Sequence, residues 1–430
     1  MRSTRAALSP RRMRMAITYK LKRLGPGLVT GAADDDPSGI ATYSQTGAQF
    51  GPMLMWTMTL CYPLMVAVQL ASAQVGRVTG KGLGDSLDKV MPRWLVLGLI
   101  ALLFVANTIN IGADLAAMGE ASALVAGGAP HLFTVLFAIV SLLLQLFVPY
   151  HRYVNFLKWL TLVLFAYIAL LFIVKVDWPA ALRGLVVPRI AGAGAVTTIV
   201  AVFGTTISPY LFFWQAAQEV EDIDQVDERQ PLNHKRAQAP DAFSRIRWDT
   251  FAGMAVSNIV ALAIILGTAT TLHAAGKTDI QSAADAAQAL KPVAGNLAFA
   301  IFSLGIIGTG LLAVPVLAGS SAYAICELGG WTASLEHQPW RAKAFYLVIA
   351  LGMAFGLAID WSPINPMKAL FWSAVINGVA AVPVLIGLML VVSRSSIMGE
   401  FVASPSLKFF GWLATAVMAA AAIAMIVFPG

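Results

Sequence analysis

The stretch Gly31-Ala32-Ala33-Asp34-Asp35-Asp36-Pro37-Ser38-Gly39-Ile40 sets three adjacent carboxylates inside a run that is otherwise apolar and small. On insertion scales a charge at mid-membrane depth costs about 3 kcal/mol, so acids there mark an ion or substrate path. Pro37 removes a backbone donor and Gly39 loosens the helix, which frees carbonyls beside the carboxylates. Successive helical residues turn by about 100°, so Asp34, Asp35 and Asp36 cannot all face one cavity while the helix holds. Asp36, against Pro37, is best placed to meet the freed carbonyls; Asp34 or Asp35 points to a vestibule or to a basic partner.

Outside this stretch the composition is that of a polytopic membrane protein. The chain has 430 residues, of which 58% are hydrophobic and 12% charged, where soluble domains carry about 25% charged residues. Apolar runs predict eleven spans near 26–44, 52–74, 94–126, 131–149, 155–175, 193–220, 249–272, 296–322, 343–360, 367–392 and 408–428. The basic start (Arg2, Arg5, Arg11, Arg12, Arg14, Lys20, Lys22, Arg23) lacks a separate apolar segment, so it reads as a positive-inside anchor rather than a signal peptide or nucleic-acid tail. With that end cytoplasmic, 23 of the 29 Lys and Arg fall on the cytoplasmic side and the C-terminus lies outside. The expected location is the cell membrane, a bacterial inner membrane, with residues 1–23 as a cytoplasmic segment and 24–428 as one transmembrane domain.

Span six repeats the feature of span one. Gly204-Thr205-Thr206-Ile207-Ser208-Pro209-Tyr210 puts a glycine and a proline in mid-span with hydroxyls between them. Interrupted helices at matching positions in two halves point to a transport site between inverted repeats. Carboxylate, carbonyl, hydroxyl and water make a hard oxygen shell suited to Mg²⁺, Ca²⁺ or Mn²⁺. Other polar groups take plainer readings. Cys61 and Cys326 read as small buried hydrophobes, and Glu219, Glu221, Asp222 and Asp224 as a solvated helix end rather than a metal-sensing patch. The segment 219–249 reads as a solvated cytoplasmic loop, and 278–294 as a short amphipathic helix outside the membrane. His131, His151, His234, His273 and His337 show no ligand spacing. Asn107, Asn110 and Asp114 share one face of span three, as an interhelical hydrogen-bond network or an ion pathway.

Four motifs carry a resemblance: Gly25-Pro26-Gly27, Asp36-Pro37-Ser38-Gly39, Gly76-Arg77-Val78-Thr79-Gly80-Lys81 and Ala113-Asp114-Leu115-Ala116. In order and spacing they resemble the Nramp family of divalent-metal transporters over nearly the whole chain. The resemblance implies an all-α membrane protein of eleven helices with a leucine-transporter-like 5+5 inverted repeat and discontinuous helices one and six. Repeat one is then about 24–175, repeat two about 193–392, and 408–428 is an extra helix. It implies metal ligation by Asp36, with backbone carbonyls from Ala33 and Thr205.

The chain also departs from the family pattern. Ser38 and Gly39 stand where the family has Gly and a metal-binding Asn, and Ser208-Pro209-Tyr210 replaces Met-Pro-His. Asp114 is retained, but Ala117 stands where the family has an acid implicated in proton transfer; Ala374 replaces a Gln, with Asn377 one turn away as a substitute. These departures resemble the magnesium-transporting branch related to Nramp. Loss of the Met thioether shifts the expected cargo to a hard ion, Mg²⁺ or Mn²⁺, and loss of the His and the acid puts proton coupling in doubt. The expected metal positions are Asp36, Ala33, Gly39, Thr205, Ser208, Asp35 and Asn377, with Asp34, Asp114 and Tyr210 along the pathway. Alternatives are a proton-coupled Mn²⁺/Fe²⁺ symporter of the ordinary Nramp type and an amino-acid/cation symporter on the same fold. The clustered aspartates argue against a substrate carboxylate. No enzyme activity, cofactor or nucleic-acid partner is expected; the partners are the metal cargo and the lipid bilayer, and the chain is expected to be a monomer.

Overall fold

The computed structural model describes residues 30–427 other than 32, 150, 151, 153–158, 193, 226 and 227. The basic segment 1–23, the Gly25-Pro26-Gly27 motif, His151, Lys158 and the start of the expected fifth span lie outside the described residues. Among the described residues every regular element is helical. The principal helices are α1 (Pro37–Phe50), α2 (Trp56–Thr79), α3 (Arg93–Ala126), α4 (Pro130–Phe147), α5 (Phe165–Leu170), α6 (Ala195–Thr206), α7 (Pro209–Asp224), α8 (Ala239–Thr268), α9 (Ala298–Gly329), α10 (Lys343–Ile359), α11 (Pro366–Ser393) and α12 (Pro405–Val427).

Eight helical stretches, counting α6 with α7 as one, are long and apolar enough to cross a membrane; α10 is a shorter apolar helix at the expected ninth span. The expected first and fifth spans are not among the eight. The first is interrupted at Asp35 and Asp36, and the fifth, described from residue 159, is divided into a 3-10 piece (Leu160–Leu164) and the short α5. Both interruptions follow from local chemistry. Residues 33 and 34 are helical, Asp35 turns, and Asp36 is extended (φ −66°, ψ 171°) as the N-cap of α1, with Pro37 at the first helical position. In span six, Ile207 (φ −116°, ψ 56°) ends α6, and Ser208 (φ −82°, ψ 136°) precedes Pro209, which opens α7. Proline fits a first helical position because the N–H it lacks has no partner there anyway. Each broken span therefore stops and restarts in a defined geometry.

Neighbouring helices are held close by small residues at their crossings. A Cβ on Gly204 of α6 would lie 2.0 Å from the Ala374 carbonyl of α11, and one on Gly76 of α2 would lie 2.1 Å from the Ala216 carbonyl of α7. Backbones approach this closely only where a side chain is absent. α3 packs against α4, α9, α10 and α11, while α8 packs against α1 and α2. Leu97, Leu132, Leu136, Ile139, Phe172 and Ile423 remain exposed, a surface suited to lipid.

Two expectations for the end of α7 and the loop after it are corrected. Within the acidic run, expected as a solvated helix end, Glu219 and Glu221 are buried and Asp222 is partly buried and ion-paired, whereas Asp224 at the last turn is exposed. Glu219 is 0% exposed and lies 2.5 Å from Arg245, which also reaches Asp222 at 3.3 Å; Arg229 pairs with Asp222 as well. Glu221 accepts hydrogen bonds from the Tyr323 hydroxyl (2.5 Å), the Ser334 hydroxyl (2.9 Å) and the Leu335 amide (3.0 Å). Glu219 and Glu221 are buried because α7 is packed between α2 and α9. The following loop is likewise docked. The Leu232 and Asn233 amides donate to the Arg77 and Val78 carbonyls at 3.2 Å each, and Arg236 reaches Glu400 at 3.1 Å. The segment expected as an amphipathic helix is three short pieces, Ala283–Ala287, Gln288–Leu290 and Lys291–Ala294.

Removing one partner of a buried ion pair leaves an uncompensated charge, at a cost of about 3–5 kcal/mol. Arg245→Ala is therefore expected to lower the stability of the purified protein by roughly that amount. Reversible denaturation in detergent measures it, and a wild-type transition would contradict the structural role of this ion pair.

Candidate metal centre

The two interruptions meet in the interior. Asp34, Asp35, Asp36, Thr205, Ser208, Tyr210, Asp114 and Asn377 are all 4% exposed or less. Asp36 divides its carboxylate between two tasks. Oδ1 accepts from the Gly39 amide (2.7 Å) and the Ser38 hydroxyl (2.6 Å), which caps α1. Oδ2 accepts from Asn110 Nδ2 (3.2 Å) on α3 and the Tyr210 hydroxyl (3.3 Å) on α7. The same hydroxyl lies 3.4 Å from the Ala33 carbonyl. Spans one, three and six thus converge on one carboxylate.

Gly39 sits at the junction of the broken ends. A Cβ there would meet the Asp34 carbonyl oxygen at 3.1 Å and Thr205 Oγ1 at 3.3 Å. The carbonyl ends of helices carry partial negative charge, so a cation is favoured beside residues 33–34 and the end of α6. Thr205 Oγ1 is buried without a hydrogen-bond partner. Ser208 does not face Asp36 in the recorded contacts; its hydroxyl donates back to the Gly204 carbonyl or to the Thr205 carbonyl (3.0 Å). For Ser208 or the Thr205 carbonyl to take a metal, that hydroxyl must rotate away.

Asp34 and Asp35 both turn toward α8. The Ser257 hydroxyl lies 2.5 Å from Asp34 Oδ2 and 3.3 Å from Asp35 Oδ1, and Asp34 Oδ1 is buried without a partner. One hydroxyl carries one proton, so Ser257 serves the nearer carboxylate. Asp114 lies within electrostatic reach of Asp36 and of the Ser38 amide, yet neither of its oxygens makes a hydrogen bond. Asn377 is buried on α11 with both amide atoms unpartnered, one residue from the Gly378–Gly204 contact. Buried polar atoms without partners are rare and mark places where water or an ion completes the shell.

The polar face of span three is an interhelical network. Asn107 Nδ2 meets the Leu317 carbonyl (3.0 Å) and the hydroxyls of Ser320 and Ser321 (2.9 Å each) on α9. Asn110 meets Asp36, and its Oδ1 accepts from the Ser373 hydroxyl (2.7 Å) on α11. Sequence reasoning did not single out Ser257 or Ser373 at all. Their only signal is a hydroxyl within an apolar span, a feature shared with many residues that merely bond back to their own helix. His131 is paired with Asp360 (2.7 Å), and His273 with the Ala48 carbonyl (2.8 Å). Among the described residues no three His, Cys, Asp or Glu side chains converge to hold a metal. What the centre offers is Asp36 with neutral groups around it and three further buried acids, Asp34, Asp35 and Asp114, within electrostatic reach, an oxygen-rich set suited to a hard cation that keeps several waters.

The profile of the family described as "Natural resistance-associated macrophage protein-like", Nramp, matches residues 27–428. The divalent metal cation transporter MntH of Klebsiella pneumoniae (strain 342) is 25% identical over 422 residues, covering 94% of each chain. The crystal structure of the Eremococcus coleocola manganese transporter, in complex with an aromatic bis-isothiourea substituted compound, superposes with a TM-score of 0.76 at 16% identity. It covers 99% of this chain and 89% of that one. Mhp1, a nucleobase-cation-symport-1 family transporter in a closed conformation, superposes with a TM-score of 0.54 at 15% identity and 94% coverage of both chains. At these identities the structural likenesses concern the fold.

Ser257→Ala would leave Asp34 without the hydroxyl that donates to it. The expected loss is on the order of 1–3 kcal/mol of stability, read from denaturation of the purified protein; an unchanged transition would contradict the role given to Ser257.

Proposed function

This chain belongs to the Nramp family, and from that premise we propose that it imports a hard divalent cation, Mg²⁺ or Mn²⁺, by alternating access around Asp36, without a coupled proton. It is a divalent-metal transporter and not an enzyme, and its apolar helices make it a multi-pass membrane protein. The observation that carries the finer reading is the shell of Asp36. Its hydrogen-bond partners are Ser38, Gly39, Asn110 and Tyr210, and Ser208 stands where the family pattern has a Met thioether. A thioether would reward soft transition metals; amides, hydroxyls and carbonyls reward hard ions.

The 5+5 inverted repeat and eleven spans are part of this reading, supported by interruptions at residues 35–36 and 207–208, five expected spans apart. So are a cytoplasmic N-terminus, supported by the distribution of Lys and Arg, and placement of 1–23 as a separate basic segment. Between the sides, the site would open alternately as the broken half-helices move against α3 and α8. The uncoupled mode is supported by Tyr210 and Ala117, which stand where the family pattern has titratable groups. The retained Asp114, whose oxygens make no hydrogen bond, favours a second reading in which uptake is proton-coupled.

Metal-competition uptake in proteoliposomes separates soft from hard selectivity. Mg²⁺ and Mn²⁺ are expected to compete better than Cd²⁺ in the wild type, Ser208→Met to move preference toward Cd²⁺, and Asp36→Ala to abolish uptake. Strong Cd²⁺ preference in the wild type would contradict the assignment. For coupling, a pH-sensitive dye inside the vesicles is expected to report no acidification during uptake; acidification that follows metal entry would establish the proton-coupled alternative.

A further inference from the structure

Resting on the proposed function, we infer that Asn110 is a specificity-determining ligand: its carboxamide turns over when the ion arrives and presents a neutral oxygen from α3. In the structure Asn110 Nδ2 donates to Asp36 Oδ2 at 3.2 Å, and Asn110 Oδ1 accepts from the Ser373 hydroxyl at 2.7 Å. That hydroxyl also lies 2.8 Å from the Leu370 carbonyl of its own helix. A serine hydroxyl has one proton to give and two lone pairs with which to accept. The chain of bonds therefore has two arrangements.

In the first, Ser373 donates to Asn110 and Asn110 donates to Asp36. In the second, Ser373 donates to the Leu370 carbonyl, Asn110 Nδ2 donates to Ser373 Oγ, and Asn110 Oδ1 faces Asp36 Oδ2. With nothing between them, two oxygens face to face repel, and the first arrangement is favoured. A divalent ion reverses the preference, because it takes oxygen ligands and rejects an N–H. The amide nitrogen and the serine hydroxyl keep partners throughout, so the turnover strands no buried donor. Asp36 and Asn110 are 0% exposed and Ser373 1%, so water does not supply a third arrangement from outside.

Asn110 also fills a specific deficit. Gly39 has no side chain to offer beside Asp36, and Ala374 of α11 offers only a methyl group. An amide oxygen delivered from α3, and held by Ser373 of α11, replaces a ligand those positions do not provide. It is a hard donor, and so favours Mg²⁺ and Mn²⁺ over Cd²⁺. It also ties metal arrival to three helices at once, α1, α3 and α11.

Calorimetric titration of the purified full-length protein with Mn²⁺ and with Mg²⁺ tests this, alongside thermal melts without added metal. Asn110→Leu is expected to weaken both ions roughly tenfold to a hundredfold, and Ser373→Ala about tenfold, through loss of the group that receives the turned amide. Asn110→Asp still presents an oxygen and is expected to bind at least as tightly as the wild type. A residue that only donates to Asp36 would behave oppositely, because an aspartate there sets carboxylate against carboxylate. Asn110→Asp as weak as Asn110→Leu, or Asn110→Leu as tight as the wild type, overturns the assignment. If Asn110→Leu gives no cooperative melt, Asn110→Asp and Ser373→Ala decide it by the same criteria. Wild-type protein that binds neither ion, or binding unaffected by Asp36→Ala, overturns the metal-centre reading itself; binding that needs Asp36 but ignores Asn110 overturns the ligand assignment alone.

Discussion

A carboxylate with no basic partner, seated where one membrane helix stops and restarts, is the constraint on which the rest of this structure depends. Asp36 is 0% exposed, and its recorded partners are all neutral donors. The cost of burying such a group is offset only in part by hydrogen bonds, and in the proposed function a cation supplies what is missing. The division of labour between its oxygens matters here. Oδ1 is committed to the start of α1, so the helix break survives changes at Oδ2, which faces the donors Asn110 and Tyr210.

The contrast with the end of α7 is instructive. There the buried acids are matched: Glu219 and Asp222 by Arg245 and Arg229, Glu221 by two hydroxyls and an amide. Matched buried charges hold helices together; unmatched ones await a partner. The same residue type thus does structural work at the end of α7 and presents an unfilled demand in mid-membrane. The strap formed by Leu232, Asn233 and Arg236 links the end of α2 to the loop carrying Glu400 through backbone hydrogen bonds and an ion pair.

Much of this was legible in the sequence where the cause is local. Asp36-Pro37 and Ser208-Pro209 break their helices through properties of the residues themselves, and the apolar runs mark the helices whatever their neighbours. Pairing across the chain was not legible. Asn110 meets Asp36 across 74 positions, Ser257 meets Asp34 across 223, and Ser373 meets Asn110 across 263, distances at which periodicity says nothing. The acidic run at 219–224 reads as solvated because nothing local reveals that α2 and α9 enclose Glu219 and Glu221. Arg245, 26 positions after Glu219, reads in isolation as one more loop charge.

The central claim is that Asp36, at the meeting of the two broken spans, holds a doubly charged hard ion. Anomalous diffraction from crystals grown with Mn²⁺ tests it most directly. The account predicts a single strong peak within direct ligand distance of Asp36 Oδ2, roughly 2.0–2.2 Å for ions of this kind. A peak at Asp34 and Asp35 instead, or at the acids near the end of α7, with none at Asp36, would contradict it.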